Sequence, residues 1–268
     1  MGVLNCTPDS FSDGGQFLDE RRALQHAESM LEQGARIIDV GAESTRPGSQ
    51  RVPARDQLER IGGLVRALHA RGAVVSIDTT STEVAARALD DGASLVNSVE
   101  LAPARSLAEV AKSRGASLAL MHSLGAMADM PGFSSTPEDA YGDVVADVKG
   151  ALERARDEAV DAGLPPDDVV LDPGLGFHKS AHHSLELCAR LEEIVSLGHP
   201  VLVGASRKSF LAAVTAAAGE RPAPPSERLG ATIAACLLCA RKGAAILRVH
   251  DPASVRQALA FEEAAAHV

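Results

Sequence analysis

Eight short runs of Val, Ile, Leu and Ala punctuate the chain, and each stops on a residue able to do chemistry. Gly2-Val3-Leu4 runs into Asn5, Ile37-Ile38 into Asp39, Val74-Val75-Ser76-Ile77 into Asp78, and Leu95-Val96 into Asn97. Leu118-Ala119-Leu120-Met121 runs into His122, and Val169-Val170-Leu171 into Asp172. Val201-Leu202-Val203-Gly204 leads to Ser206, Arg207 and Lys208, and Ile246-Leu247 to Arg248 and His250. Segments with helical periodicity separate the runs: Glu20–Glu32, Arg55–Arg71, Thr82–Leu89, Ser106–Arg114, Pro137–Ala162, Ser184–Ser196, Ser206–Ala218, Ser226–Arg241 and Ala253–Ala265. Ser81, Gly163 and Pro252 stand where caps belong. Near-continuous apolar runs are the mark of parallel strands covered on both faces. Eight successive strand–helix units predict an α/β fold, a (β/α)8 TIM barrel, over a doubly wound open sheet. In such a barrel every strand C-terminus opens on one face, so eight scattered polar residues become one ring.

A length of 268 residues suits one such barrel, and no linker or composition shift marks a boundary, so residues 1–268 read as a single domain. The chain has no Trp and one Tyr, which predicts an aliphatic core. A net charge of −10 without basic clusters argues against a nucleic-acid partner. No apolar stretch reaches the roughly 20 residues that span a bilayer, and no secretory leader precedes the first strand pattern. Of the four cysteines, Cys236 and Cys239 have the spacing of a redox or metal pair but lie in an Ala/Leu-rich helix with no second pair. A buried structural role and a cytoplasmic location are expected.

Two polar stretches exceed the usual connection length, residues 7–15 after the first strand and 43–51 after the second. Both leave the open face, where long polar loops act as lids or substrate clamps. Around the ring, Asp78, Asn97 and Asp172 supply acceptors, and a carboxylate at a buried strand end is costly unless something donates hydrogen bonds to it. A flat heterocycle with an amino group beside a ring N–H offers two parallel donors to one Asp. Capping of the next helix is the other reading of these acids, and Asp39 either orients the Thr45-Arg46 loop or caps it. Opposite sit Arg207, Lys208, Arg248 and His250, which with Asn5 and Ser44-Thr45-Arg46 could form an anion site; Mg²⁺ could join through the Asn5 side-chain oxygen. Arg207 has an alternative as a structural ion pair. Arg248 and His250 lie two apart on one strand and share a face, which the lumen suits better than the helices. No G-x-G-x-x-G, Walker loop, nucleophile elbow, H-E-x-x-H or Cys/His cluster is present.

Taken together, the motifs resemble those of a known family. Residues 1–15, from Met1-Gly2-Val3-Leu4-Asn5-Cys6 to Ser12-Asp13-Gly14-Gly15, resemble the opening signature of the dihydropteroate synthases. Ile37-Ile38-Asp39-Val40-Gly41-Ala42-Glu43-Ser44-Thr45-Arg46-Pro47-Gly48 resembles their second. Ser76-Ile77-Asp78-Thr79, Met121-His122, Asp172-Pro173-Gly174-Leu175-Gly176-Phe177, Val203 to Phe210 and Arg248-Val249-His250-Asp251 come after them in order, so the resemblance covers essentially the whole chain. It implies a folate-synthesis transferase and sulfonamide target that joins 6-hydroxymethyl-7,8-dihydropterin pyrophosphate to para-aminobenzoate, with Mg²⁺ and as a homodimer. By resemblance, Asp78, Asn97, Asp172 and Lys208 hold the pterin, Met121 lines its pocket and Arg248 stacks on it. Asn5, Arg248 and His250 hold pyrophosphate and Mg²⁺. Thr45, Arg46, Pro47, Phe177, Ser206 and Lys208 frame the aminobenzoate, Gly204 belongs to the substrate-binding set, and Phe11 and Asp13 arrive on the closing loop. Lys208, Arg248, His250 and Asp13 are the implied catalytic set.

The chain departs from the pattern at Ser98, where Asp usually comes after Asn97, at Ala42 and His178, which replace glycines, and at Ser123-Leu124. Ser98 bears on the support of the pterin pocket and keeps a catalytically silent pterin-binding paralogue in view. A pterin-dependent methyltransferase domain shares the barrel, but would need neither the Thr45-Arg46-Pro47 loop nor Ser206-Arg207-Lys208.

Overall fold

A computed structural model describes residues 1–6, 16–43, 51–130, 132 and 134–267. Strands β1 (Gly2–Asn5), β2 (Ile37–Gly41), β3 (Val74–Asp78), β4 (Leu95–Ser98), β5 (Ser117–Met121) and β6 (Val169–Asp172) pair in parallel in sequence order. Strands β7 (Leu202–Val203) and β8 (Ile246–Leu247) form a separate parallel pair. Two isolated parallel bridges close the circle: Leu171 to Val201 joins β6 to β7, and Gly2 to Val249 joins β8 back to β1. The Val3 N–H donates to the Val249 carbonyl at 3.1 Å, and the Val249 N–H to the Met1 carbonyl at 2.9 Å. The closed (β/α)8 barrel expected from the eight runs is therefore the fold.

Helices cover the outside. They are α1 (Gln16–Glu32), α2 (Ala54–Ile61), α3 (Leu64–His69), α4 (Thr82–Asp90), α5 (Ala104–Lys112) and α6 (Val144–Asp161), then α7 (Ala181–Ala189), α8 (Leu191–Val195), α9 (Ser209–Thr215), α10 (Leu229–Arg241) and α11 (Pro252–Ala265). Several expected helices are shorter or split, for local reasons. The Arg55–Arg71 segment breaks at Gly62, which takes φ +45°, a conformation glycine adopts freely. The Pro137–Ala162 segment begins only at Val144, where the Asp143 carboxylate accepts the Val145 and Ala146 N–H groups as an N-cap. Ser180 caps α7 through the His183 N–H, four residues before the expected start. Ser81 caps α4 and Pro252 opens α11, as the sequence indicates.

The core is aliphatic, with Leu4, Ile38, Ile77, Leu107, Leu118, Leu120 and Leu152 fully buried between strands and helices. Inside the barrel, Leu95, Ala119, Val170 and Leu202 form an apolar plug with Met1 and Ile246 against it. That plug seals the lower lumen, and the mouth above it is left to polar side chains. All four cysteines are buried free thiols. Among the described residues no helix is long and apolar enough to cross a membrane.

Candidate active site

Strand register assembles the mouth. Asn5, Gly41, Asp78 and Asn97 are partners across β1 to β4, and Met121 pairs with Asp172 across β5 and β6. Alternation along each strand then fixes which side chains enter the lumen. Asp78, Asn97 and Asp172 are all buried there, whereas Asn5 is exposed at the rim.

Arg248 crosses the lumen from the end of β8. Its Nε donates to Asp39 Oδ2 at 2.7 Å and its Nη2 to Asp78 Oδ2 at 3.0 Å. Asn97 Nδ2 donates to the same Asp39 oxygen at 3.1 Å. The expected partner of Asp39, the Thr45-Arg46 loop, lies outside the described residues, and the contacts that Asp39 does show are within the barrel. It lies in mid-strand, fully buried beneath the ring, and fixes two site residues at once. The alternation Ile37-x-Asp39-x-Gly41 puts it on one face with Gly41, and register against β1 and β3 turns that face to the lumen. Arg248 stays protonated: burial opposes its charge, but Asp39 and Asp78 outweigh burial.

The acidic side is equally constrained. Asp172 does not cap a helix; its Oδ1 accepts the Gly174 N–H at 2.7 Å. Gly174 has φ +68°, and a Cβ there would collide with the His122 carbonyl oxygen, so only glycine makes this turn. Burial pushes the Asp172 carboxyl up, while Lys208, the Gly174 N–H and Arg248 pull it down. Burial, helped by the Asp39 charge and opposed by Arg248, raises Asp78 to about 7.

Lys208 sits with its Nζ 3.9 Å from the centre of the Phe177 ring and donates to the Leu175 carbonyl. Burial lowers it to about 7 against the attraction of Asp172. Ser206 Oγ accepts the His250 N–H at 3.2 Å and lies 3.0 Å from His250 Nδ1. Burial and then Arg248 drive His250 down to about 4, so it meets an anion as a neutral hydrogen-bond partner rather than a cation. Gly204 lies beside the Arg248 stem. Arg207, at φ +59°, pairs with Asp251 through bonds of 3.1 and 2.7 Å, which fulfils the structural alternative and takes its guanidinium out of the ring.

Met121 and Phe177 share an apolar cluster with Val99, Met127 and Met130 on one side of the mouth. Lys179, which sequence reasoning missed, is fully buried behind it and donates to the Phe177 carbonyl at 3.0 Å and the His122 carbonyl at 3.3 Å. His178, one of the departures from the family pattern, lies 2.7 Å through Nδ1 from Ser123 Oγ, another of them. Phe11, Asp13, Thr45, Arg46 and Pro47 lie outside the described residues.

Buried hydrogen-bond acceptors thus gather at the ends of β3, β4 and β6, and Arg248, His250 and Ser206 bring donors to the ends of β7 and β8. Magnesium has a matching, if sparse, donor set. Among the described residues no three His, Cys, Asp or Glu side chains group as ligands. Mg²⁺, however, keeps several waters and takes one or two protein oxygens plus substrate phosphates, and the exposed Asn5 amide is one such oxygen.

The family model described as pterin binding enzyme matches residues 1–250. A dihydropteroate synthase of Mycobacterium leprae is 45% identical over 252 residues, which cover 94% of this chain and 87% of that one. A crystal structure of dihydropteroate synthase from Clostridium difficile, obtained in the presence of pteroic acid, superposes with a TM-score of 0.87 at 38% identity, covering 98% of this chain and 95% of that one. The enzyme from Xanthomonas albilineans with 4-aminobenzoic acid gives 0.89 at 36% identity, covering 100% and 93%.

Proposed function

The chain belongs to the dihydropteroate synthase family of pterin-binding enzymes, and from that premise we propose how its barrel mouth joins 6-hydroxymethyl-7,8-dihydropterin pyrophosphate to para-aminobenzoate. The observation that carries the reading is the convergence of Asp78, Asn97 and Asp172 on one wall and Lys208, Arg248 and His250 on the other. In this reading Asp172 accepts the pterin's paired donors, and Asn97 and Asp78 complete the acceptor wall. Lys208 borders both substrates beside Phe177, and Met121 and Phe177 supply the apolar flank.

Loss of pyrophosphate leaves positive charge on the pterin methylene. The carboxylates of Asp78 and Asp172 stabilise that charge where it develops. Arg248, with hydrogen bonds from His250 and Ser206, takes the growing charge of the leaving group. Mg²⁺, held by Asn5 together with the pyrophosphate, would supply Lewis-acid neutralisation of the leaving oxygens. No strong base is needed, since an arylamine is already nucleophilic. Asp13, Thr45, Arg46 and Pro47 join this reading by the family pattern alone.

Pyrophosphate release measured with and without para-aminobenzoate tests the proposal. Release that depends on aminobenzoate and yields dihydropteroate supports it. Pterin binding without turnover would instead establish a silent paralogue.

The ring's charges also set a pH profile. Asp78 carries its negative charge only when ionised, and its protonated form turns an O–H donor towards the ligand's donors, so pterin capture should rise as pH climbs through about 7. Lys208 is a cation only when protonated, so its contribution should fall as pH climbs through about 7. Together they predict a bell in kcat/KM for the pterin substrate, centred near neutrality, whose acidic limb disappears in Asp78→Asn. A profile flat across the neutral range would contradict the assignment of both groups.

We further infer a single domain over residues 1–268 that works as a cytoplasmic homodimer. The buried free thiols suit a reducing compartment. Leu185, Val214, Leu229 and Phe261 are exposed on α7, α9, α10 and α11, neighbouring helices on which a partner subunit would cover apolar surface. Light scattering should return twice the chain's 27.8 kDa, and a strictly monomeric mass would remove the dimer.

A further inference from the structure

Ser98 stands at the end of β4 in a place the family pattern gives to Asp, and its surroundings show what the change accompanies. Its side chain is fully buried, and its Oγ donates to the Glu100 carbonyl at 2.7 Å while receiving the Glu100 N–H at 3.5 Å. The short hydroxyl folds the chain back on itself and turns the Glu100 carboxylate inward. Glu100 is only 7% exposed, an unusual place for a carboxylate without firm partners. It has two. Oε1 accepts the Met127 N–H at 2.9 Å, and Oε2 accepts Arg51 Nη2 at 2.9 Å.

These partners belong to different connections of the barrel. Met127 belongs to the connection after β5, and its side chain packs with Met121, Val99, Met130 and Phe177. Arg51 comes directly after residues 44–50 in the chain. Its neighbour Val52 is pinned by donation to Glu43 Oε1 at 2.7 Å and by Gln57 Nε2 on its carbonyl at 2.9 Å. Gln57 in turn accepts the Thr79 hydroxyl at 3.2 Å, next to Asp78. The chain re-entering after residue 50 is thus tied to β2, to β3 and, through Glu100 alone of these links, to the apolar wall that carries Phe177.

We propose that Glu100 is a positioning residue for the aminobenzoate side of the site, holding Arg51 and the Met127–Phe177 wall in one register. The inference rests on the substrate reading given above. Glu100 touches no reacting atom in it; it sets the distance between two walls. The exposed Arg51 half of the clamp is the weaker one, because an ion pair with a largely exposed partner contributes little. The Met127 half is the stronger, since losing it strands a buried N–H.

The two halves make a graded test on the full-length protein. Glu100→Gln keeps an acceptor for Met127 and loses the charge on Arg51, so the aminobenzoate KM should rise about threefold. Glu100→Ala loses both and should raise it about tenfold or more. Arg51→Ala, a surface change that leaves folding intact, should match Glu100→Gln, and the double variant should be no worse than Glu100→Gln alone. In Glu100→Gln and Arg51→Ala, which keep the Met127 bond, kcat and calorimetric affinity for the pterin substrate should stay near wild type, a split that general destabilisation would not produce. An unchanged aminobenzoate KM in Glu100→Gln and Arg51→Ala overturns the proposal, as does an equal fall in pterin affinity or additivity of the pair. A wild-type protein with no aminobenzoate-dependent pyrophosphate release would instead sink the underlying reading.

Discussion

Replacing Arg248 with Ala should lower turnover by about 10²–10³-fold, as for removal of a preorganised charge aimed at a developing anion. The same change should also cost about 3 kcal/mol of stability, because the Asp39 and Asp78 carboxylates lose the guanidinium that bonds both. The two losses can be separated. Arg248→Lys restores the charge but not the fork that reaches two carboxylates, so it should recover only part of the turnover. Asp39→Asn combined with Arg248→Met removes one of the two charges left without the guanidinium, and should regain part of the lost melting temperature with no gain in activity. Steady-state kinetics beside thermal melts checks this. Wild-type turnover in Arg248→Ala would exclude the residue from the chemistry, and activity tracking stability through all variants would reduce it to a structural tie.

Asp172→Asn should weaken pterin binding by about 2–3 kcal/mol, the range for a charged hydrogen bond lost in a buried site. Its geometry makes the substitution unusually clear. One oxygen at this position is committed to the Gly174 N–H, 2.7 Å away. An Asn must give its only oxygen to that bond, because the opposite flip sets an amide N–H against the Gly174 N–H. Its NH₂ is then turned to the mouth, donor against donor, where the pterin's paired N–H groups are expected. Gly174 cannot relax to help, held as it is at φ +68° against the His122 carbonyl. Isothermal calorimetry on a variant with a wild-type melt decides the point, and unchanged affinity would remove Asp172 from the pterin site.

The barrel and most of its ring were legible because strand ends need no long-range information. A run such as Val169-Val170-Leu171 must be buried, and the next residue must emerge at the mouth, so Asp172 could be placed from the sequence. Asp39 could not be placed as easily. Its run continues to Gly41, and whether it points into the lumen depends on register against β1 and β3. Arg207 was ambiguous for a related reason, as its partner Asp251 lies 44 positions away at the end of another strand. Helix limits failed where a single residue decided them: Gly62 and Asp143 override a periodic pattern that runs past them, and Ser180 starts a helix ahead of the pattern. Lys179 and Glu100 escaped because a charge in a loop reads as solvated until packing shows otherwise.

The barrel is closed by two unequal pieces, a six-stranded ladder and the β7–β8 pair, stitched by one isolated bridge at each seam. The acceptors Asp78, Asn97 and Asp172 all belong to the larger piece, while Ser206, Lys208, Arg248 and His250 come just after the two strands of the smaller. A pterin held by acids and cations together therefore bonds across both seams. Whatever free energy it gains in doing so is withheld from any opening that parts the pieces, since the opened form no longer binds it. The ligand becomes a cross-brace of the scaffold that binds it, and the seams are where catalysis and cohesion draw on the same contacts.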